Sequence, residues 1–464
     1  MRERKRIAII GGGPAALVAA DALAPHHEVH VYEQGRSVGR KFLVAGQGGF
    51  NLTNSADGPA LAAMYSPAGF LNEALGAFGS NAFREWLSEL GIETYVGTSG
   101  RVFPTKGTKP VEVLNVMRER SLERGVHFHL EHTFVGFDEH TNAIIEHGGA
   151  RSSLAAHFTI FSLGGASWSV TGSTGTWSGH FAQLGIEVTP FRSSNCGVKI
   201  EWPGSFARDH AGKPLKNISV SAGDHSSIGE ATITQHGLEG NAIYPVVPAL
   251  RDAIANGTGA LLHLDLKPNN TTDQLLQKIA GKEPKNYAAA LNLDRATMAL
   301  LKAFTTKERF HSPFAFVQDV KGLQLPVTAL RPIEEAISTV GGIAPSELAP
   351  DFSLKRYASS PLAKWWTGMH QRAVSSCKAA IPWDGTPRMP YLNADRSPAG
   401  SFHAIPNSAA FASCFRTFNP ARKFAALNAT AWLAKDSSVP PSSRSIGWPS
   451  RAFSLSPSSW CMPG

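Results

Sequence analysis

The sequence predicts an α/β protein: a discontinuous Rossmann-like domain, with a parallel sheet, interrupted by a β-rich insert that carries a small helical subdomain. Three observations predict it. A buried strand, a glycine turn and a helix open the chain. Strand-like runs with one amphipathic helical stretch fill the middle. Glycine-rich segments of the first kind return near residue 340. The 464 residues allow roughly two to three domains at about 150 residues each. The expected division is residues 1–190 for the first part of the cofactor-type domain and 191–335 for the insert, with its helical part at about 270–316. Residues 336–356 return to the first domain, and 357–464 form a tail of different composition.

The opening segment "RKRIAIIGGGPAALVAADALAPHHEVHVYEQG" carries the first observation. Residues 7–10 are an unbroken apolar run, as suits a strand buried on both faces. Three glycines follow, then strong helix formers over 15–24. Pro25 and two histidines end that helix. Residues 29–32 make a second strand, with Glu33 at its tip. The spacing Gly11-x-Gly13-x-x-Ala16 is that of a dinucleotide turn. Gly11 permits the tight turn, Gly13 lets the backbone approach a pyrophosphate, and Ala16 lets helix and strand pack closely. Pro14 and Ala15 open the helix, whose first amides point at the phosphates. Glu33 stands where a carboxylate accepts bonds from ribose hydroxyls. A basic start before an apolar stretch is also the pattern of a signal peptide, but Asp21 and the glycine triplet disfavour it. The motif by itself leaves FAD and NAD(P) open.

The second observation is the insert. Residues 196–202 and 259–266 are strand-like. Between "NTTDQLLQKIAG" and "MALLKAFTTKERF" the pattern is helical, with Asn270 or Thr271 as cap and Leu275, Leu276 and Ile279 on one face. Composition excludes several classes. Hydrophobic residues make up 42%, enough for a packed core, and no run of about 18 apolar residues predicts a membrane helix. Four cysteines without a C-x-x-C pair argue against a disulfide scaffold and fit a cytoplasmic location. The net charge of +8 lies entirely in residues 357–464, which hold eleven Lys and Arg against three acids. The first 356 residues hold 33 of each sign, so no basic surface predicts a nucleic-acid partner. No His, Cys and acid cluster has metal-ligand spacing, and no metal is expected. His311 and Ser312 lack a G-x-S-x-G setting. Cys196 is a lone, inert-looking thiol, and His127 and His129 alternate on a strand face.

Seven further segments follow in order. "QGRSVGRKFLVAGQGGFNLTNS" holds Gly39, Arg40, Lys41, Gly46, Gly48, Asn51, Thr53 and Asn54. "GRVFPTKGTKPVEVL" holds Arg101. "GVHFHLEHTFVGF" holds Val135. "FTIFSLGGASWSVTGSTG" holds Gly164 and Gly165. "GKPLKNISV", "HGLEGNAIYP" and "STVGGIAPSEL" complete the set, the last with Gly341 and Gly342. Over nearly all of residues 5–356 this series resembles the HI0933-like flavoproteins. Gly49-Phe50 stands where that family has Arg-Cys, and Ser162-Leu163 is a milder departure. The resemblance implies a GR2-type FAD-binding domain with a large insert. It implies that FAD is held by Gly11, Gly13, Pro14, Ala15, Ala16, Glu33, Arg40, Lys41, Gly48, Asn51, Gly164 and Gly165. A backbone clamp at Val135 would grip the adenine, and a Gly341-Gly342 turn would lie near the flavin. Arg101 is the candidate substrate contact, although an arginine in such a place is more often a surface or ion-paired residue. The implied activity is an FAD-dependent oxidoreductase of a small organic molecule, with NAD(P)H as candidate donor and no residue assignable as acid or base. The alternatives are a flavoprotein of RNA modification and a non-catalytic remnant.

The tail raises a separate expectation. After "SELAPDFSLK" the family pattern calls for a last strand, an acidic turn and a closing helix, but the chain gives "RYASSPLAKWWTGMHQRAVSSC". Joining the third base of each codon to the first two of the next lets residues 360–374 encode FAAGEMVDWNAPTGG, the closing pattern. Trp and Met have single codons, so Trp365-Trp366 forces Val, Trp366-Thr367 forces Asp and Met369-His370 forces Ala. A one-frame slip near residues 355–358 is therefore expected. The competing reading is a disordered basic tail.

Overall fold

A computed structural model of the chain describes residues 4–44, 50–97 and 100–357, together with the backbone of 366 and 367. Gly48 and the expectations for the tail lie outside the described residues. The opening segment folds as its pattern dictates. β1 (Arg6–Ile10), α1 (Pro14–Leu23) and β2 (Glu28–Glu33) form a strand–helix–strand unit. β1 pairs in parallel with β2 on one side and with Phe158–Phe161 on the other. β2 pairs in parallel with His127–Leu130, and Trp366–Thr367 adds a short parallel edge beside Phe158–Phe161. Four of the five β1 residues are buried, as a strand covered on both faces requires. α1 is buried almost all round, because its alanines let it lie close to the sheet. Its one buried acid, Asp21, meets Arg124 at 2.9 Å and the Trp86 indole nitrogen at 2.9 Å, the pairing that a carboxylate in a core needs.

Two further bodies of structure flank this unit. A three-stranded antiparallel sheet, Thr133–Phe137 with Ala143–His147 and Ala150–Ser153, covers one end of the parallel sheet. Phe134, Phe161, Phe181 and Trp177 pack beneath it. The insert is a seven-stranded antiparallel sheet drawn from residues 198–330. Helices Thr272–Ile279, Arg295–Phe304 and Pro313–Gly322 close its core. Of the two cap candidates it is Thr271 that caps, its Oγ1 accepting from Gln274 N at 3.2 Å while Gln274 Oε1 accepts from Thr271 N at 3.0 Å. Leu275 and Ile279 are buried as expected, with Leu276 packed at the margin.

The chain leaves for the insert along Val188–Ser193 and returns along Thr339–Ile343, and these two segments pair antiparallel. Gly341 and Gly342 therefore lie within a strand, not in the turn the sequence suggested. The cause is close approach: a Cβ at Gly341, whose φ is +114°, would sit 2.6 Å from Pro190 O. The residues of this return that reach the cleft described below are Ile337, Ser338 and Thr339.

Candidate cofactor site

The cleft lies at the C-terminal tips of β1, β2 and Phe158–Phe161, where a parallel sheet places its ligands. Gly11 holds the turn at φ +96°, and a Cβ there would lie 2.4 Å from Ser162 O. Gly13 is different. A Cβ on it would meet nothing within 4 Å, so its outer side is open for another molecule to approach. Gly13 is also the N-cap of α1, in extended conformation, and no side chain caps the helix. The first amides of α1, with Pro14 at the start, are thus left to a ligand and carry the positive end of the helix dipole. Glu33 is fixed at the tip of β2. Its Oε2 accepts Gly12 N at 2.6 Å and its Oε1 accepts Gly35 N at 2.7 Å. Each oxygen keeps a lone pair for a ribose hydroxyl.

A strap of residues 164–175 crosses the cleft, and three side chains from the β2 side hold it down. Gln34 Nε2 donates to Gly172 O at 2.6 Å. Arg40 Nη2, from α2 (Arg40–Val44), donates to Val170 O at 3.0 Å. Lys41 Nζ donates to Ser167 Oγ at 2.9 Å and to Ser173 Oγ at 3.1 Å. Burial pushes the Lys41 ammonium down to about 8, against the charge of Glu334, which acts to raise it. Gly164 and Gly165 accept from the strap's own surroundings: Trp177 Nε1 donates to Gly164 O at 3.0 Å and Ser173 Oγ to Gly165 O at 2.8 Å.

Tyr32, His132, Thr133 and Phe134 also line the cleft. Val135 does not line the cleft with its side chain. It is the extra residue of a bulge between Phe134 and Gly136, a position that leaves its backbone groups outside the ladder. Ala15 lines the cleft while Ala16 is fully buried behind it, in the packing role its spacing implied. Asn51 is 4% exposed, and its Nδ2 has no hydrogen-bond partner among the described residues. Arg101 is half-buried on Arg101–Pro104, opposite Asn54, and its charge acts on the Tyr244 phenol. Burial, joined by Glu239, pushes that phenol well above its ordinary value. Cys196 is buried and free, with its thiol pushed up to about 12 by burial, so it holds no thiolate at neutral pH. No group of three or more His, Cys, Asp or Glu able to hold a metal occurs among the described residues.

Sequence reasoning missed the strap's polar anchors, Gln34, Ser167 and Ser173, and the cleft residues Ser338 and Thr339. The signal for Gln34 was its place directly after Glu33. For Ser173 it was the T-G-S-T-G turn itself.

A family profile, that of the HI0933-like protein Rossmann domain, matches residues 5–357. The chain belongs to the HI0933-like family. The chain is also similar to two curated proteins. One is the 3-dehydro-bile acid delta(4,6)-reductase of Clostridium scindens, 23% identical over 381 residues, covering 76% of this chain and 90% of that protein. The other is the ribosomal RNA dihydrouridine synthase of Haemophilus influenzae, 23% identical over 283 residues, covering 60% of this chain and 68% of that protein. Among solved structures, 3-ketosteroid delta1-dehydrogenase from Sterolibacterium denitrificans overlays with a TM-score of 0.41 at 13% identity, over 78% of this chain and 92% of that one. This HI0933-like protein is an FAD-dependent oxidoreductase, and its cleft fits the cofactor. The cleft offers uncapped amides, an open Gly13 and a fixed carboxylate, groups of the kind an ADP moiety needs, with two basic side chains beside them. The match ends at 357, where the composition of the chain changes.

Proposed function

We propose that this protein reduces a carbon–carbon double bond conjugated to a carbonyl in a small, largely apolar molecule, with NAD(P)H as electron donor. The single observation that carries the flavin half of this reading is the open Gly13 at an uncapped helix start facing Glu33. The substrate half is supported by the delta(4,6)-reductase, nine-tenths of which the chain spans. When bound, FAD supplies acceptance and donation of hydride. The chain's own groups do the rest. The α1 amides and Gly13 take the pyrophosphate, Glu33 the ribose, and Arg40 and Lys41 add charge. The unladdered backbone of Val135 serves the adenine. Residues 1–190 with 336–356 act as the cofactor domain, and 191–335 as the substrate domain. Arg101, beside Tyr244, is the substrate contact on the cofactor-domain side.

An RNA substrate is not favoured, since residues 1–356 carry 33 basic and 33 acidic side chains. The native closing strand, acidic turn and last helix are taken to lie in the shifted frame after residue 357. DNA sequence across codons 355–358 decides this, and an intact frame in independent clones would end the idea. The activity is tested on the purified chain and on a frame-restored version. The expected result is a yellow protein bleached by NADH or NADPH and recoloured by a conjugated enone such as a 4,6-dien-3-one steroid. Flavin that NAD(P)H reduces but no enone reoxidises would overturn the substrate class.

A further inference from the structure

We propose that Lys41 is an ionisable anion clamp: its protonation, set by its seat under the strap and by Glu334 from the insert's return, decides how tightly the cleft holds the diphosphate of its cofactor. This rests on the FAD reading above and goes further, because it makes cofactor retention depend on pH and on the insert. The geometry is specific. Lys41 Nζ is held between the hydroxyls of Ser167 and Ser173, and it lines the same cleft as the glycine turn. The strap, residues 164–175, contains no charged side chain. The surrounding elements carry Arg40 on α2, Glu28, His30 and Glu33 on β2, and Glu334 and Glu335 on Ile333–Glu335; Glu28 pairs with Arg6 and His30, and Glu335 with Arg331, which leaves Arg40, Glu33 and Glu334.

These three differ in what they do. Arg40 bonds Val170 O. Glu33 is taken up by the amides of Gly12 and Gly35. Glu334 acts on the Lys41 proton, and its Oε2 accepts the strap's Ser169 N at 3.3 Å. Burial thus brings the charge change of Lys41 down to about pH 8. A bound diphosphate favours the ammonium, so the Lys41 pKa is higher with cofactor than without. Affinity is then full below the lower value and falls as pH rises through the interval, by up to about tenfold per pH unit. Glu334 holds the lower value up, so the insert's return sets where the fall begins.

The test is a titration of the full chain with FAD, followed by flavin absorbance and fluorescence quenching, from about pH 6.5 to about pH 9.5. The wild type should show a dissociation constant that is flat below pH 8 and rises above it. K41R should stay flat throughout. K41M should bind more weakly and without the rise. E334Q, at an exposed position that leaves the fold alone, should begin its rise at lower pH. If FAD binds at neutral pH and K41M loses it in parallel with the wild type as pH rises, the clamp is wrong and the FAD reading stands. If the folded wild type takes up no FAD at any pH, the reading itself fails and the clamp with it.

Discussion

The two largest sheets among the described residues divide the work. The central strand β1 of the parallel sheet is apolar on both faces, and polar groups gather at the C-terminal tips beside it, where Gly11, Glu33 and Ser162 meet. The insert's antiparallel sheet keeps its polar residues spread over an outer face and encloses its own core, which holds Leu264, Leu300 and Phe316. The first is built to present amides and charges to a ligand. The second is built to be stable. The contrast teaches that a change of similar size should damage binding in one sheet and stability in the other.

Four substitutions and one pH scan test that division. Gly11→Ala should have the largest effect, since its Cβ would lie 2.4 Å from Ser162 O at a φ of +96°. Both folding and FAD uptake should be lost, as read by circular dichroism and flavin absorbance. Gly13→Ala separates the two properties. Its Cβ meets no protein atom within 4 Å, so the thermal midpoint should stay put while FAD affinity falls by about a hundredfold or more. Leu300→Ala is the opposite case. It should cost about 2–5 kcal/mol in denaturant unfolding and leave FAD affinity unchanged. Equal effects of the Gly13 and Leu300 changes on affinity would erase the contrast. Thr271→Ala should cost about 1 kcal/mol and nothing in binding.

The pH scan concerns the sheet's outer edge. His30, His129 and Tyr32 stack, with the His30–His129 nitrogens 2.9 Å apart, and His132 stands edge-on to His129. Burial, then the charges of His30, His132 and His127, push His129 down to about 4. Its proton therefore goes first to the unfolded chain. Stability should fall as pH drops below about 6.5 and go on falling towards pH 4. His129→Gln should flatten that acid slope in a melting series, and an unchanged slope would remove His129 as its source.

Much of this was legible in the sequence where chemistry is local. β1, the glycine turn, α1, β2 and Glu33 fall within 33 consecutive residues, and spacing alone sets their order and placement. The Thr271 cap is equally local. What escaped depends on distance along the chain. Lys41 meets Ser167 and Ser173 across 126 and 132 residues, and His30 meets His129 across 99. No periodicity announces such pairs. The Gly341-Gly342 turn is what the family resemblance implies, and the structure makes it a strand. The crossing of Pro190, which demands glycine in a strand, is visible only once both segments are placed.

FAD titration of the purified chain beside Gly13→Ala tests the central claim most directly. One flavin per wild-type chain, with quenched fluorescence, and none on an equally folded Gly13→Ala protein is the predicted result. Equal uptake by both, or a well-folded wild type that remains colourless in excess FAD, would contradict it.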